Sequence, residues 1–387
     1  MRQAFFLAFQ YLRSSRLRFA VLLLCTSIAL SLPINTLIAF DLLSSKLTER
    51  GENTPILIGK KGNEFALTMN ALYFRGTVKE TLSMSVFHSV SQQYESNVLP
   101  LYISHSASQT PIVGTNIDYF DARDLKLHTG RFFVGLGEVV MGATAAAEFN
   151  IQVGDSIRSD LQNLYNLAGS YPMTLTVVGI LESSGTADDS IVVADLRTVW
   201  ALDGLLHGHE EVTVNNALNP DDSEENLEAT AAIFMFSELS EKNRDSYHLH
   251  GDIGDMPLGS LAVFPTDQED HDILLGHFAL SESMQAVRPI EVVDNILSIV
   301  LKLQQGMNIY YGMLLLSTVS FYFLVVHLSL QLRQGELTLI RRIGGSNKTI
   351  RNLVVAEITL VSLLSMVFTG LVSLGFLWLL HFVLNTI

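Results

Sequence analysis

The sequence predicts a membrane protein with three transmembrane α-helices and a large α+β extracytoplasmic domain between the first and the second. One predicted span is N-terminal (residues 19–41) and two are C-terminal (307–331 and 353–387), and each apolar run can cross about 30 Å of hydrocarbon. Residues 42–306 hold 36 Asp/Glu and 15 Lys/Arg, whereas the rest of the chain holds 3 and 9. Basic ends around an acidic middle indicate that the ends face the cytoplasm or lipid and that the middle faces away. Three spans with a cytoplasmic N-terminus then put the C-terminus outside.

Composition excludes several classes of protein for this chain of 387 residues with a net charge of -15. An acidic surface argues against nucleic acid, whose phosphates require a basic footprint. The single cysteine, Cys25, lies in an apolar run, so disulfides play no part in folding the large domain. The sequence has no P-loop, His-Glu-x-x-His, Gly-x-Ser-x-Gly or Ser-x-x-Lys motif, and we therefore predict that the chain is not itself an enzyme.

The chain begins with a segment, residues 1–18, that combines an apolar stripe with a basic end. This pattern predicts an amphipathic helix on the inner membrane surface before the first span, with the N-terminus in the cytoplasm. An ordinary positively charged leader is the alternative. The apolar stripe consists of Phe5, Phe6, Leu7, Phe9 and Leu12, and the basic end of Arg13, Arg16 and Arg18.

The large domain, residues 42–306, alternates short strand-like runs with helical patterns and turn signals. Helical spacing of apolar residues occurs at 81–92, 143–149 and 267–280. Mixed strands and helices over this length predict an α+β domain of one or two lobes.

Within this domain, residues 203–277 are acidic and rich in histidine, with 17 Asp/Glu, 2 Lys/Arg and 6 of the 11 histidines. Imidazole and carboxylate together suit zinc, but no helical His-x-x-x-His or paired-Cys pattern fixes a geometry. A solvated acidic loop, disordered around residues 219–228, is the other interpretation. The candidate metal ligands are His207, His209, His248, His250 and His271.

The cytoplasmic connection between the last two spans, residues 332–352, carries a cluster of basic residues and a Gly-Gly break. By the positive-inside rule it lies in the cytoplasm, and Ser346 is placed to cap a following helix. Glu357, at the start of the third span, lies close enough to pair with the arginines of this connection. The basic residues predict a docking site for a soluble motor; charge that only sets the topology is the alternative.

The segment from Glu336 to Ser346, running on to Glu357, resembles the coupling segment of FtsX-type ABC permeases, the MacB/LolC/LolE class. Residues 138–156, 175–181 and 189–193 are similar to the periplasmic core domain of that family, and the amphipathic start is similar to its N-terminal elbow. The three parts come in the order that the family has. The resemblance therefore covers most of the chain.

The resemblance implies a permease subunit in the bacterial inner membrane that works by mechanotransmission to export or extract a substrate. It implies a separate ABC-type ATPase that binds the ATP, a second permease chain that is identical or different, membrane lipid and a periplasmic or lipoprotein partner. The chain itself would bind no cofactor other than the zinc considered above. The residues predicted to couple to the ATPase are Glu336, Arg341, Arg342, Ile343, Gly344, Gly345, Ser346 and Lys348.

Two departures from the family pattern keep alternatives open. The family usually has four spans, so the fourth is naturally missing here, truncated, or supplied by another subunit. Residues 203–277 have no counterpart in the family pattern. A regulator of cell-wall hydrolases without transport, and a zinc-linked membrane receptor or transport component, are the alternative functions.

Overall fold

The structure, a computed structural model, describes residues 2–386 except 15, 78, 95, 162–171, 209–242, 244–245, 250 and 345. The chain divides into two compact units. One contains residues 1–45 and 296–384, and the other contains residues 46–295 and 385–387. We call the first the membrane unit and the second the domain.

Helices make up the membrane unit, and the described residues include three that are long and apolar enough to cross a membrane. This confirms the predicted fold class. The helices are longer than the predicted spans, because α-helical structure continues through polar turns that need no lipid around them. The helices of this unit are α1 (Arg2–Ser14), α2 (Arg16–Glu52), α9 (Pro289–Leu332), α10 (Gln334–Arg342) and α11 (Asn347–Thr386), of which α2 and α9 extend into the domain.

Small and hydroxyl side chains join α2 to α11 within the membrane unit. The hydroxyl oxygens of Thr26 and Ser365 share a hydrogen bond of 2.6 Å, and Ser27 Oγ donates to the carbonyl of Ser365. Small residues allow helix backbones to approach closely in lipid, where such hydrogen bonds add to the packing. Ala8 of α1 packs against Leu353 of α11, so α1 is held against the start of the last helix.

Short strands and helices form the domain, which confirms the α+β prediction. The helix predicted at 143–149 is α6, and the one predicted at 267–280 is α8. The helix predicted at 81–92 starts later, because Leu82 pairs with Leu258 in a short strand. The domain elements are β1 (Ile56–Lys60), α3 (Glu64–Tyr73), β2 (Leu82–Ser83), α4 (Met84–Gln93), β3 (Ser96–Ala107), β4 (Thr110–Thr115), α5 (Asp118–Ala122), β5 (Leu127–Gly130), β6 (Glu138–Met141), α6 (Ala143–Phe149), β7 (Ser156–Arg158), β8 (Thr174–Leu181), β9 (Val192–Asp195), α7 (Leu196–Leu202), β10 (Leu206–Gly208), β11 (Tyr247–Leu249), β12 (Pro257–Leu258), β13 (Ser260–Pro265), α8 (Gln268–Ala279) and β14 (Met284–Val287).

Ten strands form the main sheet, in the order β14-β1-β13-β3-β4-β9-β6-β8-β5, with β7 paired to β8. The half from β14 to β4 is antiparallel, whereas β4–β9 and β6–β8 are parallel pairs. Every residue of β6 is buried, but in β8 buried residues alternate with partly exposed ones. This is the difference expected between a strand covered on both faces and one covered on a single face. In this strand order, β9 lies in the middle of the sheet, between β4 and β6.

Candidate functional site

The connection between α9 and α11 contains a short helix, α10, between two turns. Arg333 forms the first turn, and its carbonyl accepts a hydrogen bond of 3.0 Å from the amide of Leu337. Gly344 forms the second with φ of +95°, a conformation that favours glycine because it has no Cβ. Its amide donates to the carbonyl of Arg341 at 3.1 Å. The predicted connection 332–352 is therefore mostly helical, and its last residues belong to α11.

One face of α10 is exposed and combines aliphatic with basic side chains. Leu339 is 61% exposed and Ile343 78% exposed, and Arg342 is exposed beside them. These three residues are spaced i, i+3 and i+4, so they project from the same side of the helix. We call them the α10 face. An exposed aliphatic pair next to a guanidinium group suits contact with another protein.

The remaining predicted coupling residues flank this face. Arg341 and Lys348 are exposed. Ser346 is also exposed, and its hydroxyl accepts a hydrogen bond of 3.3 Å from the amide of Thr349, as expected of a cap for α11. Glu336 lies in α10, and Gly345 lies outside the described residues.

An ion pair in the membrane unit connects the start of α10 to α11. Arg333 Nη1 donates to Glu357 Oε2 at 3.2 Å, and the two side chains are only 10% and 20% exposed. The sequence predicted a partner for Glu357 among the basic residues of the connection, but Arg333 was not among the predicted site residues. The pair joins residues 24 positions apart, which no local periodicity can reveal.

The histidine-rich region is only partly described. His207 and His248 are register partners in the β10–β11 ladder, and His248 Nδ1 lies 2.9 Å from the carbonyl of Ser246. His271 lies on α8, where its Nδ1 is 2.9 Å from Asp272 Oδ1. In the described part of the chain no three His, Cys, Asp or Glu residues are grouped to hold a metal. His209, His250 and the predicted disordered segment lie outside it.

A buried set of charged and aromatic residues lies inside the domain, where α2 ends. Arg50 in the last turn of α2 forms two hydrogen bonds with Asp188, Nη1 to Oδ2 at 2.5 Å and Nη2 to Oδ1 at 3.2 Å. The Tyr119 hydroxyl donates to Asp188 Oδ1 at 2.5 Å. The Arg123 guanidinium lies over the Tyr119 ring, 6.0 Å from its centre. We call these four residues the base cluster.

The base cluster keeps its carboxylate ionised although it is buried. Burial raises the pKa of Asp188, but the positive charge and hydrogen bonds of Arg50, with further help from Tyr119, outweigh it and lower the pKa to about 2. Burial and the neighbouring carboxylate raise the pKa of Tyr119 above its usual range. At any physiological pH the cluster therefore contains the ionised Arg50–Asp188 pair, a neutral phenol and the second guanidinium of Arg123. The members of the cluster lie far apart in the chain, so no sequence pattern predicted it.

Comparison with protein families gives two matches that together cover most of the chain. Residues 44–232 match the MacB-like periplasmic core domain, and residues 308–387 match the FtsX-like permease C-terminal domain. The first match covers the end of α2 and most of the domain, and the second covers most of α9, α10 and α11. Curated proteins gave no match.

Two of the solved structures that resemble this chain are extracytoplasmic domains. One is the periplasmic region of MacB from Actinobacillus actinomycetemcomitans, 14% identical, covering 65% of this chain and 97% of its own, with a TM-score of 0.36. The other is the extracellular domain of the noncanonic ABC-type transporter YknZ from Gram-positive bacteria, 10% identical, covering 60% and 98%, with a TM-score of 0.32.

Proposed function

Because the chain belongs to the FtsX/MacB type of ABC transporter permease, we propose that it is the subunit through which a separate ATPase moves the extracytoplasmic domain. The observation that carries this proposal is the exposed α10 face. Leu339, Arg342 and Ile343 offer aliphatic surface and positive charge at a short helix between two predicted spans.

The α10 segment suits a mechanical role because it is short and is attached at both ends. The Arg333–Glu357 pair ties its beginning to α11, so a push on α10 would be passed to both long helices. Gly344 supplies the sharp turn at the other end. A rigid connection of this kind transmits displacement without requiring chemistry in the permease itself.

The proposed orientation follows from charge. By the positive-inside rule, helix α10 lies in the cytoplasm, because four basic residues lie in or near it: Arg341, Arg342, Lys348 and Arg351. Helix α1 then also lies on the cytoplasmic side. The domain lies outside the cytoplasm. ATP would bind to the partner ATPase, and a second permease chain, identical or different, would complete the complex.

The test is purification of the tagged full-length chain from native membranes in mild detergent, followed by identification of bound proteins and their ratio. We expect a P-loop ATPase in equal amount with the wild type, whose ATP hydrolysis the permease stimulates. Arg342→Glu and Ile343→Asp should reduce its recovery at least about tenfold, since they reverse or insert charge at a contact. Lys302→Glu, a charge reversal at an exposed residue of α9, is the matched control.

Unchanged ATPase recovery and stimulation in both α10 variants would contradict the docking assignment. Recovery of the chain alone with bound zinc would favour the receptor instead. A bound ATPase without any exported or extracted substrate would favour the regulator of cell-wall hydrolases.

A further inference from the structure

We propose that the base cluster (Arg50, Tyr119, Arg123 and Asp188) is the joint through which movement of α2 is passed to the central sheet of the domain. This inference rests on the proposed function, because it assigns a path for the movement that the ATPase would start. Arg50 and Asp188 are its positioning residues, and they act within the domain itself.

Arg50 is fixed in both position and direction at the end of α2. It lies in the last turn of α2, and its side chain is 7% exposed while that of Asp188 is 2% exposed. The two hydrogen bonds between them fix the direction of the guanidinium as well as its distance. The ring of Phe74 covers the guanidinium, with its centre 5.2 Å away. Rotation or withdrawal of the helix end would therefore break a buried, paired charge.

Asp188 is also held firmly by the residues around it. It lies in a 3-10 helix, Ala187–Ser190, that leads directly into β9. The adjacent Asp189 accepts hydrogen bonds of 2.8 Å from the amides of Ser184 and Gly185. Gly142 lies so close that a Cβ there would be 2.3 Å from the Asp188 carbonyl oxygen, leaving the segment little room to yield. A displacement of Asp188 would consequently move β9, in the middle of the sheet.

The base cluster also contacts the backbone and side chains around the end of α2. Arg123 Nη1 donates to Thr54 Oγ1 at 2.8 Å, and Thr54 Oγ1 donates to the carbonyl of Arg50 at 3.2 Å. The Tyr73 hydroxyl of α3 donates to the carbonyl of Leu47 at 2.7 Å. Elements from three distant parts of the sequence therefore hold the same two turns of α2.

Stability alone does not explain this arrangement. An ion pair in a protein interior is a poor source of stability compared with apolar residues of similar volume, whereas the bidentate contact of Arg50 with Asp188 restricts the geometry of both side chains. The low pKa of Asp188 keeps the pair charged throughout the physiological range, so the joint does not loosen with ordinary changes of pH. These are properties that a mechanical connection requires.

The test uses the full-length permease with its co-purified ATPase and measures amide hydrogen exchange with and without a non-hydrolysable ATP analogue. In the wild type we expect nucleotide-dependent changes both in α10 and in residues 183–191. Arg50→Met and Asp188→Asn should reduce the change at 183–191 by at least about fivefold and leave the change in α10 intact. Arg50→Lys, which keeps the charge but loses the bidentate geometry, should fall between them and the wild type.

Arg131→Met is the matched control, because it breaks another ion pair of the same domain, Arg131–Glu138, away from α2. It should retain the nucleotide-dependent change at 183–191 even if it lowers stability, which separates transmission from folding. A wild-type change at 183–191 in Asp188→Asn and Arg50→Lys would overturn the joint. A wild-type complex that forms without any nucleotide-dependent change in α10 would instead overturn the proposed function.

Discussion

Two arginine–carboxylate pairs hold helix ends in the two units, and they differ in burial. In the domain, Asp188 accepts from Arg50 twice and from Tyr119, and its side chain is almost fully buried. In the membrane unit, Arg333 donates to Glu357 in a pair that solvent or lipid can still reach. The first pair is bidentate and almost fully buried, whereas the second is partly exposed. We therefore expect substitution of the buried pair in the domain to cost more stability than substitution of the pair beside α10.

The largest effect should come from removing one partner of the buried pair. Asp188→Ala leaves the Arg50 guanidinium buried without its carboxylate, and we expect a loss of about 3–5 kcal/mol in the free energy of unfolding of the domain. Urea unfolding of the full chain, followed by the fluorescence of the buried Trp200, measures this loss. Lys126→Ala, which removes the exposed Lys126–Asp124 pair, should change it by less than about 0.5 kcal/mol. Equal effects of the two variants would contradict the comparison.

Acid should reveal the same pair without mutation. The pKa of Asp188 falls from 3.8 to about 2 in the folded domain, and the hydrogen bond and charge of Arg131 lower that of Glu138 from 4.5 to about 2. A carboxyl group with a lowered folded pKa stabilises the fold above its unfolded pKa and loses this effect as the pH falls towards the folded value. The free energy of unfolding should therefore decline between about pH 4.5 and pH 2, with about 2 kcal/mol of the decline due to Asp188.

The variant Asp188→Asn checks the assignment of this acid sensitivity. It should flatten the dependence of the unfolding free energy on pH between about pH 4 and pH 2, because the amide does not titrate. Circular dichroism of urea titrations at several pH values measures the slope. A slope as steep as that of the wild type would show that other carboxylates are responsible.

A smaller effect is expected from the pair in the membrane unit. Glu357→Gln keeps the shape but removes the charge facing Arg333, which should weaken the attachment of α10 by about 1 kcal/mol. Trypsin should then cleave after Arg341 or Arg342 about fivefold faster in detergent, because cleavage follows the population of the opened segment. The unfolding free energy of the domain should not change. Glu291→Gln, which removes the exposed pair with Arg288, is the control, and equal cleavage rates in both variants would contradict the prediction.

Only a small change in stability is expected from substitution of the histidines. His248→Ala and His271→Ala should each alter the unfolding free energy by at most about 1 kcal/mol, because neither side chain is fully buried. The zinc hypothesis predicts that each weakens zinc binding by the full-length protein about tenfold or more, measured by competition with a chelating dye. The hypothesis of a solvated acidic surface predicts no tight zinc binding in the wild type and no change in the variants.

The sequence predicted well the elements that depend on local patterns. The three long helices were predicted from apolar runs, and α6 was predicted from the helical spacing of apolar residues at 143–149. The start of α4 was wrong because Leu82 and Ser83 pair with residues of β12, which lie far away in the chain. The sequence did not predict that Leu339 and Ile343 are exposed. An apolar residue next to a predicted span can equally be buried in the protein or lie in lipid.

The ion pairs of the candidate sites could not be predicted from local sequence patterns either. Arg50 and Asp188 lie 138 positions apart, and single charged residues at such distances carry no sign of being partners. Glu357 could be recognised as needing a cation, because a carboxylate in an apolar run requires one, but its choice of Arg333 was not evident. A charged residue in an apolar run predicts that a partner of opposite charge exists. Which residue is the partner depends on the fold.

The pairing of β1 also determines when the domain can fold during synthesis. This strand follows α2 directly, yet Ile58 pairs with Leu261 of β13 on one side and with Ala286 of β14 on the other. A nascent chain that has placed α2 in the membrane must therefore wait for almost the entire domain before its first strand finds a partner. Pairing between such distant segments forms slowly, and an unpaired strand invites aggregation and proteolysis in the meantime. The chain should thus be most dependent on chaperones and quality control until β14 has been synthesised.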